Sequence, residues 1–253
     1  MNKFIKTFIA SILLMGCIGI NFSTANASEN ININETIDVI VDRTGLPYYV
    51  VENDIENIAK RSKQSKEVVA KLVLDEVKTL SVRNENRAVL YSASSGGGSG
   101  SKPLTNSVAG DIWYSDVSTL GWNHGHVGMY EKANIILEAR GPGYKVSSRA
   151  VSKIKVGKGD KIMAVASKRN GKTRMSAKNR SLAISWARGK KGKSYAYTLD
   201  NKKCGNNDYN CSQLVWCAYK NTGSKFNLDS NGGIFVAPKD ILNSPYTYVI
   251  KSF

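Results

Sequence analysis

The chain has 253 residues, 42% of them hydrophobic, and carries 36 Lys and Arg against 20 Asp and Glu, a formal net charge of +16 at pH 7. That length holds one substantial domain and a smaller appendage, since domains run to about 100–200 residues, and it suffices to bury a real core. The charge is one-sided: residues 28–101 carry 11 acidic and 9 basic side chains, whereas residues 102–253 carry 25 basic and 9 acidic.

The chain opens MNKFIKTFIASILLMGCIGINFSTANA. Lys3 and Lys6 precede an apolar run from Phe8 to Ile20, and Ala25-Asn26-Ala27 has the small-x-small form of a cleavage site, the three parts of a secretory signal peptide. Leu14-Met15-Gly16-Cys17 also fits a lipobox, but the apolar run continues past Cys17, which favours cleavage after Ala27 over a lipidated Cys17. The run is shorter than the roughly 20 residues that cross a bilayer, so no stable membrane span is expected after cleavage. The expected location is secreted or cell-surface. For an exported chain nucleic acid is not the expected partner; the basic surface fits an anionic cell-wall polymer, and it also serves plain solubility. Cleavage removes Cys17 and leaves Cys204, Cys211 and Cys217, so at least one thiol has no partner within the chain.

Residues 28–36 form a polar lead-in. From 36 to 87 the pattern is that of a small helical hairpin. Asn53-Asp54 offers a cap for a helix carrying Ile55, Ile58 and Ala59, and Ser65 precedes Val68, Val69, Leu72, Val73 and Val77 at three- and four-residue spacing. This helical region, 28–91, holds no chemistry of its own and reads as a packing, targeting or regulatory element. SASSGGGSGSKP, residues 92–103, reads as a flexible linker before a second domain at 104–253. There, short β-rich runs appear at 111–114, 126–130, 135–139, 144–147 and 161–166, broken by Gly121, Asn134 and Gly141-Pro142-Gly143. Helical pattern returns at 176–188 and from Cys211 to about Asn221, and two last strands are expected around Phe235 and at 246–250. Helices with an antiparallel sheet in one domain define an α+β fold.

The only histidines are His124 and His126, in GWNHGHVGMY. Two apart on a strand they face the same way, so the pattern does not choose between them. Cys211, in YNCSQLVWCAYK, begins a predicted helix, where the helix dipole and unpaired backbone N–H groups favour a thiolate. Cys217 lies about 240° further round the same helix, cannot face the same pocket, and reads most simply as a small core residue. A disulfide from Cys204 to either remains open. The gaps of seven and six residues lack the close pairing of structural zinc sites, and no metal or cofactor is expected. What remains is a thiol at a helix start and an imidazole on a distant strand, the parts of a cysteine hydrolase, a thiol protease or amidase.

HVGMY at 126–130 resembles the histidine strand of NlpC-type, papain-like cysteine hydrolases, and NCSQLVW at 210–216 resembles their nucleophile helix. Those enzymes place cysteine before histidine; the reverse order here is similar to the circularly permuted papain-like amidases of the YiiX/YaeF-like family and, more distantly, to relatives of lecithin retinol acyltransferase. Gly110-Asp111-Ile112, EARGPGYKV at 138–146 and AISWARGKKGKSYAY at 183–197 extend the likeness over 109–253. The resemblance implies a permuted papain-like fold with Cys211 as nucleophile, His126 as base and Glu138 as the group that orients it. Twelve residues past His126 through a hairpin, Glu138 has the even spacing that places a carboxylate beside the imidazole; an exposed strand glutamate is the alternative. His124 stands as a substrate-contact candidate, and by resemblance Tyr195 lines the cleft. The implied substrate is a peptide, amide or acyl compound, cell-wall peptides among them. A non-catalytic basic wall-binding module and a thiol acyltransferase acting on lipids are the competing readings.

Overall fold

The computed structural model describes residues 32–81, 100–117, 125–223 and 226–253. The expected signal peptide with Cys17 and Ala27, the start of the lead-in and the stretch 92–99 of the expected linker lie outside them. Where a helical hairpin is expected there are three helices, α1 (Ile33–Thr44), α2 (Tyr48–Ser62) and α3 (Lys66–Ser81). The extra break is local chemistry. Asn32 caps α1 by accepting the Asn34 N–H, and Gly45, at φ 66°, closes it by donating its N–H to Val41 O at 2.8 Å; Pro47 then opens α2. Asn53 and Asp54 accordingly cap nothing and lie inside α2. Asp54 is buried and accepts from Thr198 Oγ1 and the Leu199 N–H, both at 2.7 Å. Ser65 does act at the start of α3, its Oγ accepting the Val68 N–H at 3.3 Å.

Ile37, Ile40, Val51, Ile55, Ile58, Val69, Val73 and Val77 pack together with Leu199, Phe235 and Ala237. The three helices thus share a hydrophobic core with chain more than a hundred residues away, and residues Asn32–Phe253 make one compact unit. Each of these Ile, Val, Leu and Phe side chains taken fully from water contributes about 1.5–3 kcal/mol.

The remaining elements are β1 (Lys102–Pro103), β2 (Ile112–Ser115), β3 (His126–Lys132), β4 (Ile135–Glu138), β5 (Ser147–Ala150), β6 (Lys155–Val156), β7 (Lys161–Val165), α4 (Ala177–Arg188), α5 (Cys211–Lys220), α6 (Pro238–Leu242) and β8 (Thr247–Ser252). β1 pairs with β6, and the other strands form an antiparallel sheet in the order β5-β4-β3-β2-β7-β8. The fold is α+β with antiparallel sheets. Two expected strands differ. The one at 144–147 begins only at Ser147, after the turn that Gly143 makes at φ 80°. Phe235 lies in a loop before α6, because side chains satisfy its neighbour's backbone: Val236 N–H donates to Asn201, and Val236 O accepts from Asn201 and Ser212.

Alternate residues of the sheet serve two faces. Ile112, Tyr114, Val127, Met129, Leu137 and Met163 join Leu214, Val215 and Ala218 of α5 in the main core. Trp113, Tyr130, Ile136 and Ile162 pack with Leu104 and Ile154 on the other face. Cys217, expected as a packing residue, is buried in the main core and is also bonded to Cys204, with their Cα atoms 5.4 Å apart. The loop that carries Cys204 is folded back along α5 by Gln213 Nε2, which donates to Lys203 O, and by Tyr209 OH, which donates to Cys204 O. Cys211 is the free cysteine among the described residues.

Candidate active site

α5 starts at Cys211 because Asn210 and Gln213 form a reciprocal cap: Asn210 Oδ1 accepts the Gln213 N–H at 2.9 Å and Gln213 Oε1 accepts the Asn210 N–H at 3.2 Å. The same turn is tied outward by Ser212 Oγ donating to Val236 O and Asn210 Nδ2 donating to Thr198 O. The thiol therefore sits on a turn held from several sides, at the positive end of a helix dipole.

His126 begins β3 opposite Ser115 of β2 and is buried. Its Nε2 lies 2.8 Å from Glu138 Oε2, and its side chain is also hydrogen-bonded to Cys211. With Nε2 given to the carboxylate, Nδ1 is the nitrogen that faces the thiol. The Trp113 ring stands edge-on to the imidazole with centroids 5.4 Å apart. Glu138 reaches His126 diagonally across the β3–β4 pair, past the position of Gly128. A Cβ there would come within 2.6 Å of Ile136 Cγ2 and 3.3 Å of Glu138 Cβ, so glycine in HVGMY clears the path between base and carboxylate.

The electrostatics follow from this packing. Burial alone would push the Cys211 thiol up; the His126 charge and hydrogen bond, with the N–H groups of Val127 and Ser212, outweigh it and hold the thiol below its ordinary value. Burial alone would push His126 down, but the charge and hydrogen bond of Cys211, then those of Glu138, lift it to about 9. Glu138, only 1% exposed, would be pushed up by burial; the His126 bond and charge and the charge of Arg149 hold its carboxyl below the usual range. Each shift favours the charged form of its group: thiolate, imidazolium and carboxylate.

The structure thus brings Cys211, His126 and Glu138 together. Tyr195 joins them: burial, then the Cys211 charge, push its phenol well above the ordinary value. His124 lies outside the described residues. Sequence reasoning missed Arg149, whose Nη2 donates to Glu138 Oε2 at 3.3 Å and whose guanidinium lies 5.9 Å from the Trp113 ring centroid, and Arg140, 4.0 Å from Glu138 Oε1. Arg140 belongs to the EARGPG stretch, two residues beyond Glu138 and past the end of β4, and its closeness in sequence to that carboxylate was a usable signal. Arg149 has no motif around it; only the register of β5 against β4 brings it to the site. Among the described residues no group of three or more His, Cys, Asp or Glu is placed to hold a metal ion.

An α+β protein with a buried Cys-His-Glu line is the class that fold and site define. No family model matches the chain. It is 30% identical over 256 residues to the uncharacterized protein YycO of Bacillus subtilis (strain 168), spanning 100% of this chain and 98% of that one. The chain belongs to the YycO family. Among solved structures, the metalloprotein YiiX from Escherichia coli O157:H7 superposes with a TM-score of 0.43 at 17% identity, over 60% of this chain and 98% of that one, a likeness too slight to carry an argument about the site.

Proposed function

We propose that the protein is a secreted cysteine hydrolase of the permuted papain-like type, cleaving an amide or ester bond, with cell-wall peptides as the first substrate class. The observation that carries this reading is the hydrogen-bonded line from the Cys211 thiol through His126 to Glu138, with the thiol on the first residue of a capped helix. Histidine before cysteine along the chain supports the permuted form.

The Cys211 thiolate adds to the substrate carbonyl, forming a C–S bond as the carbonyl electrons move onto oxygen. The Cys211 N–H, a first-turn donor with no partner inside the helix, meets that oxyanion; one such donor is worth about 10²–10³ in rate. The intermediate collapses, the C–N or C–O bond breaks, and the leaving group takes its proton from His126. Water, giving its proton to the now neutral His126, attacks the thioester and releases the acid, restoring thiolate and imidazolium. Glu138 stays ionised throughout and holds the ring in its working orientation. Tyr195 lines the cleft beside the thiol, and the basic surface of residues 102–253 suits an anionic wall polymer.

The test is turnover of muropeptides, acyl-amides and phospholipids by the purified protein, with Cys211→Ala and His126→Ala as controls. Each variant is expected to lose about 10³-fold or more. Rate should fall on the acid side as the thiolate takes a proton, below the ordinary thiol pKa, and on the alkaline side as His126 loses its proton near pH 9. Acyl transfer to an added alcohol or amine in place of water would make the protein a transferase, and no Cys211-dependent turnover on any class would overturn the reading.

A further inference from the structure

Glu138 has more than one partner. It is buried at the end of β4, and an isolated carboxylate there would be driven to its neutral form. His126 reaches it from β3 at Oε2. From β5, Arg149 reaches both oxygens: Nη2 donates to Oε2 at 3.3 Å, and Nε lies against Oε1. The register explains how. Glu138 pairs with Ser147 and Ile136 with Arg149, so Arg149 stands diagonally across from Glu138 on the same face of the sheet, its side chain 13% exposed. Its guanidinium also covers the Trp113 ring that stands edge-on to the imidazole, so one side chain touches both groups that flank His126. The charged groups around Glu138 are His126 from β3, Arg149 from β5 and Arg140 beyond the end of β4, with Cys211 of α5 behind the imidazole. Arg140 stands off at 4.0 Å and stacks on Tyr144, 4.8 Å from its ring centroid, which leaves Arg149 as the closer cation.

We propose that Arg149 is a positioning residue of the thiol site: it holds the Glu138 carboxylate ionised and turned to His126, and through it maintains the thiolate–imidazolium pair. This rests on the hydrolase reading of the same residues. Without the guanidinium, Glu138 takes a proton at higher pH, the imidazolium loses its counter-charge, and the proton returns to Cys211.

The experiment is the rate of Cys211 alkylation by iodoacetamide from pH 4 to 10 on the full chain. It compares wild type, Arg149→Gln, Arg149→Lys, Glu138→Gln and the Glu138→Gln/Arg149→Gln pair, each with its thermal midpoint. Arg149→Gln is expected to move the acid limb up by about one pH unit. Arg149→Lys, which keeps the charge but not the fork, falls between it and wild type. The double variant is expected to match Glu138→Gln alone, since the two act through one group. An Arg149→Gln profile that superposes on wild type while only the thermal midpoint falls overturns the proposal, as does an additive double variant. Should Arg149→Gln not fold, the Arg149→Lys profile decides in the same way: an upward shift supports, coincidence with wild type overturns. Alkylation needs no substrate, so failure to find turnover would sink the hydrolase reading and leave this result intact.

Discussion

Gly128 shows how much a single position contributes at the site. The HVGMY stretch reads in sequence as a strand bearing a histidine, and its glycine is a weak strand former. In the fold, that glycine stands where a side chain would press on Ile136 and Glu138 at once. Gly128→Ala is therefore expected to cost about 1–3 kcal/mol as overpacking and to slow Cys211 alkylation more than its loss of stability explains, because Glu138 is pushed off His126. Urea unfolding and alkylation of the folded protein measure the two parts; an alkylation rate equal to wild type would show that the carboxylate had not moved. Cys211 had a local signal in its helix start, but the histidine pair did not choose between His124 and His126, and it was the resemblance to papain-like hydrolases that singled out His126 and Glu138, which the structure brings together with Cys211. Arg149 was not legible, since a residue recruited by register alone leaves no trace in neighbouring sequence.

Among the elements, α3 is held to the later chain by a titratable contact. Glu76 accepts the Ile234 N–H at 2.6 Å and Asn231 Nδ2 at 3.3 Å. Burial pushes its carboxyl up to about 7, with Asp240 adding to the rise and the Ile234 N–H, Lys202 and Asn231 opposing it. A folded-state value above the ordinary 4.5 means that the contact's contribution is complete below about pH 4.5 and is lost as pH rises through about 7. Glu76→Gln should accordingly be more stable than wild type by on the order of 1–3 kcal/mol at pH 8.5 and show no such gain at pH 4. Urea titrations at the two pH values check this, and a gain independent of pH would refute it. In the sequence, Glu76 reads as one polar residue in an otherwise apolar helical set. Its partners lie more than 150 residues on.

Over the whole molecule, stability is shared between distant segments. Leu199, Phe235 and Ala237 complete the core of the three N-terminal helices, while Asp54 and Arg61 bind the backbone and side chains of residues 198–200. The Cys204–Cys217 disulfide, with partners 13 residues apart, ties the stretch after that contact to α5. Loops of this size contribute about 3 kcal/mol when closed by a disulfide. The Cys204→Ala/Cys217→Ala variant is expected to lose about 2–4 kcal/mol in urea unfolding, and dithiothreitol to lower wild type towards it while leaving the variant unchanged. A wild type insensitive to the reductant would contradict this.

The sequence by itself determined the α+β class, the order of histidine and cysteine and the helix that presents Cys211. All of these rest on periodicity, caps and short motifs, which act over a few residues. Tertiary structure decided that Cys217 pairs with Cys204, that Asp54 binds residues 198–199 rather than capping a helix, that Phe235 lies in a loop, and that Arg149 stands behind the carboxylate. Those outcomes depend on strand register and on packing between segments far apart in the chain, where the favourable partner is chosen by the whole core and not by its neighbours in sequence.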